Sequence, residues 1–289
     1  MGEMPAPDPA LLAAAAALFG AVIGSFLNVV VHRLPRGESL AWPGSRCPHC
    51  AAPIRPSDNV PVVSWLLLRG RCRRCRGPIA WRYPALELLT AGLFAAVALR
   101  YGWSLVTPVW MAFAATLVAI AAIDFDHHII PDELSLGGLA AGLVVMPLVG
   151  VLGGEPLLGA VGASALGALL GGGALWSVGF LHARVSALLG RTFEHWPGEG
   201  EALPRPGSLD YWVWFPGLGF GDVKLMAMIG AFLGAIGVVE TILVAAVVGL
   251  LLGLGWAAVT RRFDAPFGFG PAIAAGALLV MLSPGPLLV

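Results

Sequence analysis

Charged side chains are scarce in this chain: Asp, Glu, Lys and Arg make up 12% of its 289 residues, and their charges cancel. Hydrophobic residues make up 58%, and the mean hydropathy is +0.84. A soluble domain of this length could not bury so much apolar surface. The scarcity of charge therefore excludes an ordinary soluble protein and indicates a protein of the lipid bilayer.

A basic segment is also missing from the amino terminus, which reads MGEMPAPDP and is acidic. Cleaved signal peptides begin with a positively charged region, followed by about 7–15 apolar residues. The apolar run that follows here is longer than that. It predicts a retained membrane helix and not a cleaved signal.

Apolar runs long enough to cross a bilayer, which takes about 20 residues, recur along the chain. They predict an all-α polytopic membrane protein with about eight transmembrane helices, at roughly 9–31, 84–100, 104–123, 134–152, 157–181, 223–238, 240–260 and 267–288. The second and sixth runs are short, and each contains a charged residue, Glu87 and Lys224. The many Gly and Ala residues favour close helix packing in lipid.

The basic residues predict the orientation of these helices. Of the 17 Lys and Arg residues, all but Arg100 fall in 32–82, 182–224 and 261–262, which eight alternating spans place on one side. That side is predicted to be the cytoplasm, with both termini outside. The segment 182–210, which is charged and rich in Gly and Pro from residue 190, is predicted to be an irregular cytoplasmic loop.

Cysteine is rare, and all four cysteines lie between the first two predicted spans, as Cys47-x2-Cys50 and Cys72-x2-Cys75. Two such pairs can supply four thiolates to a tetrahedral zinc ion, and a site closed by four thiolates is structural. The sequence thus predicts a small cytoplasmic zinc-ribbon-like module between helices 1 and 2. Two disulfides are the alternative, which a reducing cytoplasm disfavours.

Two acidic motifs lie at predicted helix ends. The first, IDFDHHIIPDELSL, contains Asp124 and Asp126, and the second, GFGDVKLMAMIGAFLG, contains Asp222. Two carboxylates brought together at the edge of a low-dielectric region share a proton, and such a pair can activate water for attack on a peptide carbonyl. The alternative for Asp222 is a helix cap at a positive dipole end.

Two other classes of function remain possible at this point. An ion- or proton-coupled transporter would also carry intramembrane acids, but is expected to have acids deep in its spans or an internal repeat, and no repeat is evident. A non-catalytic zinc-bearing scaffold would account for the cysteines and leave both acidic motifs without a role.

Four stretches of the chain resemble the type IV prepilin peptidases, the bifunctional leader peptidases and N-methyltransferases of bacterial type IV pilus, type II secretion and competence systems. The resemblance rests on GSFLNVVVHRLPRGES, the paired C-x2-C module with NVPVVSWLLLRGRC and RYPALELLT, IDFDHHIIPDELSL, and GFGDVKLMAMIGAFLG. The fragment GFGD is also similar to the G-x-G-D signature of intramembrane aspartyl proteases.

The resemblance implies roles for particular residues. Asp124 and Asp222 match the family's catalytic aspartates, with Asp126 as a competitor to Asp124. Gly70 matches a glycine associated with methyl transfer, and Arg71 stands where some relatives have Lys, so both are candidate cofactor-binding residues. No G-x-G-x-x-G loop locates the methyl donor in the sequence.

The resemblance also implies substrates, cofactors and location. The substrates would be type IV prepilins or pseudopilins, cleaved after the glycine that ends a short basic leader, and the methyl donor would be S-adenosylmethionine. The resemblance further implies a structural zinc ion and a location in the lipid bilayer of the bacterial inner membrane. No nucleic-acid partner is expected. The predicted organisation is a first transmembrane helix at 1–31, a methyltransferase-associated zinc module at 32–83, and a membrane aspartyl peptidase domain at 84–289 that includes the loop 182–210.

Overall fold

The computed structural model describes residues 7–191, 204–261 and 268–287, with only the backbone of Thr260 described. Within these ranges the secondary structure is helical, with isolated two-residue bridges as the extended elements. The chain divides into two compact units, Met1–His127 and His128–Val289. Six helices are long and apolar enough to cross a membrane, which confirms the predicted all-α polytopic fold.

The first unit consists of three long helices and a small module inserted between the first two. Its helices are α1 (Pro9–Arg33), the short α2 (Val63–Leu67), α3 (Arg82–Tyr101) and α4 (Val106–His127). Asp8 begins α1 by accepting hydrogen bonds from the N–H groups of Ala10 and Leu11 at 2.7 and 3.2 Å. The long helices α1, α3 and α4 pack against one another, and residues 34–81 form the module outside them.

The second unit contains α5 (Asp132–Leu152), α6 (Leu157–Leu188), the short α7 (Asp210–Val213), α8 (Phe220–Thr260) and α9 (Gly270–Leu282). Its densest packing is between α6 and α8, where a Cβ on Gly167 would lie 2.0 Å from the carbonyl oxygen of Gly230. Only glycine permits so close an approach of two backbones, which is the packing expected of helices in lipid.

Helix α8 is interrupted at Gly234, whose backbone has φ 69° and ψ −175°. Both Met226 and Val238 lie against Gly171 of α6, with atoms 2.2 and 3.3 Å from the position of its Cβ. In a straight helix, residues 12 positions apart are separated by about 18 Å along the axis. The chain therefore folds back at Gly234, and α8 comprises two helical segments, 220–233 and 235–260.

This fold-back corresponds to the predicted sixth and seventh spans, but the predicted boundary between them, at residues 238–240, was too late. Two other predicted limits also differ from the structure. Helix α6 continues to Leu188, so the first part of the predicted loop 182–210 is helical, while residues 192–203 of that loop lie outside the described residues. The last helix, α9, has 13 residues and is shorter than the predicted span 267–288.

Candidate functional site

The four cysteines lie on two knuckles of nearly identical backbone. In the first, Cys47 N–H bonds to the Ala52 carbonyl at 2.9 Å; in the second, Cys72 N–H bonds to the Gly77 carbonyl at 2.8 Å. Arg46 pairs with Pro53, and the corresponding Arg71 pairs with Pro78, in one antiparallel bridge each. A short repeat in the sequence, RCPHCAAPI at 46–54 and RCRRCRGPI at 71–79, encodes this similarity. The expectation that the chain has no internal repeat was wrong at this scale.

The knuckles bring all four thiols together. The Sγ atoms of Cys47, Cys50, Cys72 and Cys75 lie within 4.8 Å of one another, and all four thiols are free. A zinc ion bonded to four sulfurs at about 2.3 Å in a tetrahedron would separate neighbouring sulfurs by about 3.8 Å. The Sγ atoms of Cys47 and Cys75 are 3.8 Å apart. The donor set therefore fits the predicted structural zinc, and the free thiols contradict the alternative of two disulfides.

The peptide groups around the thiols favour a thiolate at one position. Hydrogen bonds from the backbone of Cys75 and Arg74 lower the pKa of the Cys72 thiol to about 6. Although the Gly77 backbone opposes the change, burial and the neighbouring thiols raise the pKa of Cys75 to about 11. One thiol of the cluster therefore ionises readily, and another ionises only when a cation offsets the negative charge. Such a cluster is suited to binding a metal ion, which neutralises the thiolates.

Gly70 lies inside this module, against the ring of Trp65. Its backbone has φ 64°, its N–H bonds to the Trp65 carbonyl at 2.8 Å, and a Cβ on it would lie 3.0 Å from the Trp65 ring. The Trp65 indole N–H donates to the Ile79 carbonyl at 3.0 Å, which joins α2 to the end of the second knuckle. Gly70 is buried under this indole, and Arg71 is exposed on the knuckle.

A buried carboxylate connects the module to the long helices of the first unit. Glu87 of α3, 8% exposed, accepts the Val62 N–H at 2.7 Å. Val62 has φ 61° and ψ −51°, and the N–H of Val63 bonds to the Pro61 carbonyl at 2.5 Å, so these three residues form a γ-turn. A β-branched residue rarely adopts this conformation. The Glu87 carboxylate holds it together with neighbouring bonds, such as the Val60 N–H to the Ser64 hydroxyl at 3.0 Å.

The two acids of the first motif have different environments within the first unit. Asp124 lies in the last turn of α4 and is 5% exposed. Asp126, one half-turn later, is bound by the Arg82 guanidinium at 2.6 Å, and both of these side chains are partly exposed. Arg82 begins α3, so this ion pair joins the start of α3 to the end of α4.

Asp222 lies in the first turn of α8, in the second unit. Gly219 is the N-cap of that helix and no side-chain hydrogen bond caps it, so the capping part of the alternative for Asp222 was wrong, whereas its position in the first turn agrees with an acid at the positive end of the helix dipole. The Asp222 Oδ2 lies 3.6 Å from the position of a Cβ on Gly219, which places the carboxylate back along the glycine-rich turn.

The turn that bears Asp222 packs against the second half of the first acidic motif. A Cβ on Gly221 would lie 3.0 Å from the Cβ of Ile130, so any larger residue at 221 would crowd this contact. Two residues beyond Asp222, Lys224 forms an ion pair with Asp132 at the start of α5. Within the second unit, the second half of the first acidic motif therefore contacts the beginning of the second motif. Asp124 belongs to the first unit.

The segment before this turn is held by aromatic contacts on α6. Phe215 packs on Gly179, where a Cβ would lie 2.5 Å from its ring. The ring nitrogen Nδ1 of His182 lies 3.1 Å from the Pro216 carbonyl oxygen. Trp176 and Phe180 stack with Trp212, at centroid distances of 6.3 and 5.4 Å. These contacts fix the chain that leads into Asp222 against the extended end of α6.

These features define a polytopic membrane protein with a four-thiol module and acids at helix ends. The family model described as Bacterial Peptidase A24 N-terminal domain matches residues 18–101, and the Type IV leader peptidase family matches residues 111–254. A protein of Aeromonas hydrophila is 34% identical over 92% of this chain and 88% of its own length. A relative in Burkholderia pseudomallei (strain 1026b) is 34% identical, and the match covers 90% of this chain and 82% of the relative. A relative in Neisseria gonorrhoeae is also 34% identical, and the match covers 89% of this chain and 86% of the relative.

All three relatives bear the name "Prepilin leader peptidase/N-methyltransferase". The chain belongs to the type IV leader peptidase family, which confirms the resemblance seen in the sequence. It is therefore an enzyme of a peptidase family and not a transporter or a scaffold. Comparison with solved structures finds no match.

Proposed function

We propose that this enzyme cleaves the short basic leader from type IV prepilins or pseudopilins after a glycine, and then N-methylates the new terminal residue. The observation that carries the proposal is the similarity, over about nine tenths of the chain, to relatives whose name joins both activities. The methyl group would come from S-adenosylmethionine, which supplies an electrophilic methyl to a deprotonated amine.

Asp124 and Asp222 are the proposed catalytic pair. Burial at the end of α4 favours Asp124 over Asp126, which is partly exposed and whose charge is offset by Arg82. The chain itself limits how far apart the pair can be. Asp124 precedes Ile130 by six residues, which span at most about 21 Å, and Ile130 contacts Gly221, the neighbour of Asp222.

The proposed hydrolysis needs one proton shared between the two carboxylates. The ionised carboxylate removes a proton from water as the oxygen attacks the carbonyl carbon, and the protonated carboxyl group donates to the carbonyl oxygen. Collapse of the tetrahedral intermediate breaks the C–N bond: the departing nitrogen takes the proton that came from water, and a hydroxyl of the intermediate returns its proton to the other carboxylate as the carbonyl re-forms. The site returns to its original protonation state, with one water consumed.

The zinc module has a structural part in this proposal. Cys47, Cys50, Cys72 and Cys75 would hold the ion, which leaves no coordination position for water or substrate. Its chemistry there is to tie the two knuckles together. The Arg73 side chain bonds to both Asp58 oxygens at 2.9 Å, which ties the second knuckle to the turn at 56–58.

The distribution of basic residues supports a location in the bacterial inner membrane with the module and the acids facing the cytoplasm. All Lys and Arg residues except Arg100 lie in segments that alternating spans would place on that side. A basic leader would remain in the cytoplasm, while the apolar helix of the prepilin would lie in the bilayer beside the enzyme.

The test uses the purified chain in lipid nanodiscs with a full-length prepilin and S-adenosylmethionine, and mass spectrometry of the product. The parent should remove the leader and add 14 mass units, about one methyl group. Asp124→Asn and Asp222→Asn should each slow cleavage by about 10²–10⁴-fold. Asp126→Asn, the matched control, should retain cleavage because it removes only a partly exposed ion pair. Cleavage that survives both catalytic substitutions would refute the pair.

A further inference from the structure

The short helix α2 of the module presents an uncovered apolar face. Val63, Leu66 and Leu67 lie at positions i, i+3 and i+4, so their side chains share one side of the helix. They are 51%, 60% and 78% exposed. On the other side of α2, Ser64 is buried and Trp65 is partly buried. An apolar face that the protein itself leaves uncovered marks a surface for a partner or for a membrane.

A hydrogen bond holds the start of α2 beside the membrane-spanning part of α3. The N–H of Val62, the residue before α2, donates to the Glu87 carboxylate at 2.7 Å. Glu87 lies five residues after Arg82, the first residue of α3, which is about 7.5 Å along the helix axis. Its neighbours Leu88 and Leu89 are exposed on the outside of α3. Because the 20 residues of α3 are about the number that crosses the hydrocarbon core, Glu87 lies within that core.

The packing of α1 against α3 gives the same depth. A Cβ on Gly24 would lie 2.7 Å from the Glu87 Cα, and Ser25 is hydrogen-bonded to the Glu87 carboxylate. Ser25 precedes Arg33, the last residue of α1, by eight residues, or about 12 Å along the helix axis. Residues 59–61, which lead into α2, line one cleft with this part of α1. Two spanning helices therefore hold the start of α2 at the level of lipid tails and not in the water beyond the helix ends.

The other end of α2 lies near the start of α3. The Trp65 indole N–H donates to the Ile79 carbonyl at 3.0 Å, and Ile79 precedes Trp81, the N-cap residue of α3, by two residues. Trp81 is exposed, and an exposed Trp at the end of a spanning helix is typical of the boundary between lipid tails and water. Helix α2 therefore rises from the level of Glu87 towards this boundary.

Positive charge follows α2 closely along the chain. Four arginines are exposed and form no ion pair within the part of the chain that the structure describes: Arg69, Arg71, Arg74 and Arg76. Basic residues beside an apolar helix at the membrane boundary attract the phosphates of anionic lipids. The leader of the proposed substrate is basic, so the same charges would repel it. The charge therefore favours a lipid surface over a prepilin as the partner of α2.

We propose that α2 is an interfacial helix inserted into one leaflet of the bilayer. Val63, Leu66 and Leu67 lie among the acyl chains, and the arginines that follow α2 bind the phosphates of anionic phospholipids. The module that the sequence predicts to be cytoplasmic is thus partly embedded, and its thiol cluster is held at the level of the headgroups. This inference does not depend on the proposed N-methyltransferase function.

The depth of α2 is measured with a nitroxide label on Leu67→Cys, in the zinc-loaded chain in nanodiscs of phosphatidylglycerol and phosphatidylcholine. Glu38→Cys, at an exposed position beyond the end of α1, is the matched control, and the labelled parent gives the background from the four native cysteines. Oxygen, which concentrates in lipid, should relax the label at 67 more strongly than a water-soluble nickel chelate does. The order should be reversed at 38. Leu66→Cys provides a second position on the same face, and zinc content and thermal unfolding verify that each variant is folded.

The headgroup contact is measured by native mass spectrometry of the chain released from the same nanodiscs. Replacing Arg69 and Arg74 by Gln should weaken the retention of phosphatidylglycerol about fivefold for each arginine removed. Retention of phosphatidylcholine, which has no net charge, should not change. Arg100→Gln, at the opposite end of α3, is the matched control and should retain phosphatidylglycerol as the parent does.

A label at 67 that the nickel chelate relaxes as strongly as the label at 38 overturns the insertion of α2. Relaxation by nickel that is lost only after a prepilin is added also overturns it, and indicates a protein partner for the apolar face. Equal retention of phosphatidylglycerol by the parent and the double arginine variant overturns the headgroup contact. All of these results leave the proposed cleavage and methylation standing, because those activities are measured separately.

Discussion

The contact between Glu87 and the turn at Val62 should control the local stability of the module. Glu87→Leu removes the carboxylate that accepts the Val62 N–H at 2.7 Å. A hydrogen bond to a charged group contributes about 1.5–3 kcal/mol. We expect the free energy of local opening to fall by up to about 1.5–3 kcal/mol, and by less if the turn relaxes its strained conformation.

Hydrogen–deuterium exchange of peptides from 57–68 measures this loss. Since about 1.4 kcal/mol corresponds to tenfold, exchange there should accelerate by up to about 10- to 150-fold in Glu87→Leu. Glu38→Leu, a matched change at an exposed glutamate of the same unit, should have no effect on these peptides. Adding Val62→Gly to Glu87→Leu should slow the exchange again, because glycine adopts φ 61° without strain. Equal exchange in Glu87→Leu and Glu38→Leu would refute the reasoning.

Two further predictions concern the zinc module and the turn that bears Asp222. Cys75→Ser, or treatment with a strong chelator, should release about one zinc ion per chain and expose the knuckles to proteolysis, because the ion joins them. The control Ser45→Ala, beside the cluster, should keep its zinc. Full zinc content in Cys75→Ser would contradict the four-thiolate site. Gly221→Leu would force a side chain into Ile130, 3.0 Å from its Cβ position, and overpacking of about 1–3 kcal/mol should lower kcat/KM for prepilin cleavage about 5- to 150-fold. Gly207→Leu, where nothing lies within 4 Å, should cleave normally, and equal rates for the two variants would argue against a role for this contact.

Local patterns in the sequence predicted the thiol cluster and the helices, because both are determined by residues close together in the chain. The two C-x2-C pairs predicted the thiol cluster because each knuckle places its own pair of sulfurs. The apolar runs predicted the helices because a helix in lipid satisfies its own backbone. The repeat of R-C-x2-C-x2-P-I was present in the sequence and could have predicted the similarity of the two knuckles.

Features that depend on distant contacts could not be predicted in this way. Glu87 appeared only as a charge inside a short span, since its partner Val62 lies 25 residues earlier and adopts a conformation that no local signal indicates. The fold-back at Gly234 was placed too late because the whole run around it is apolar and rich in glycine. The extension of α6 to Leu188 was missed because His182 and Arg184 resembled loop residues, although both contact the segment 211–216.

Cross-linking is the sharpest test of whether Asp124 and Asp222 form one site. The zinc-loaded protein that carries both Asp124→Cys and Asp222→Cys is treated in nanodiscs with bifunctional thiol reagents and then digested for mass spectrometry. The reagents span about 5 Å, a length suited to side chains that share one water. We expect a linked pair of peptides from the end of α4 and the start of α8, which neither single variant gives. Efficient labelling of each cysteine alone, with no linkage in the presence or absence of a prepilin, would contradict it.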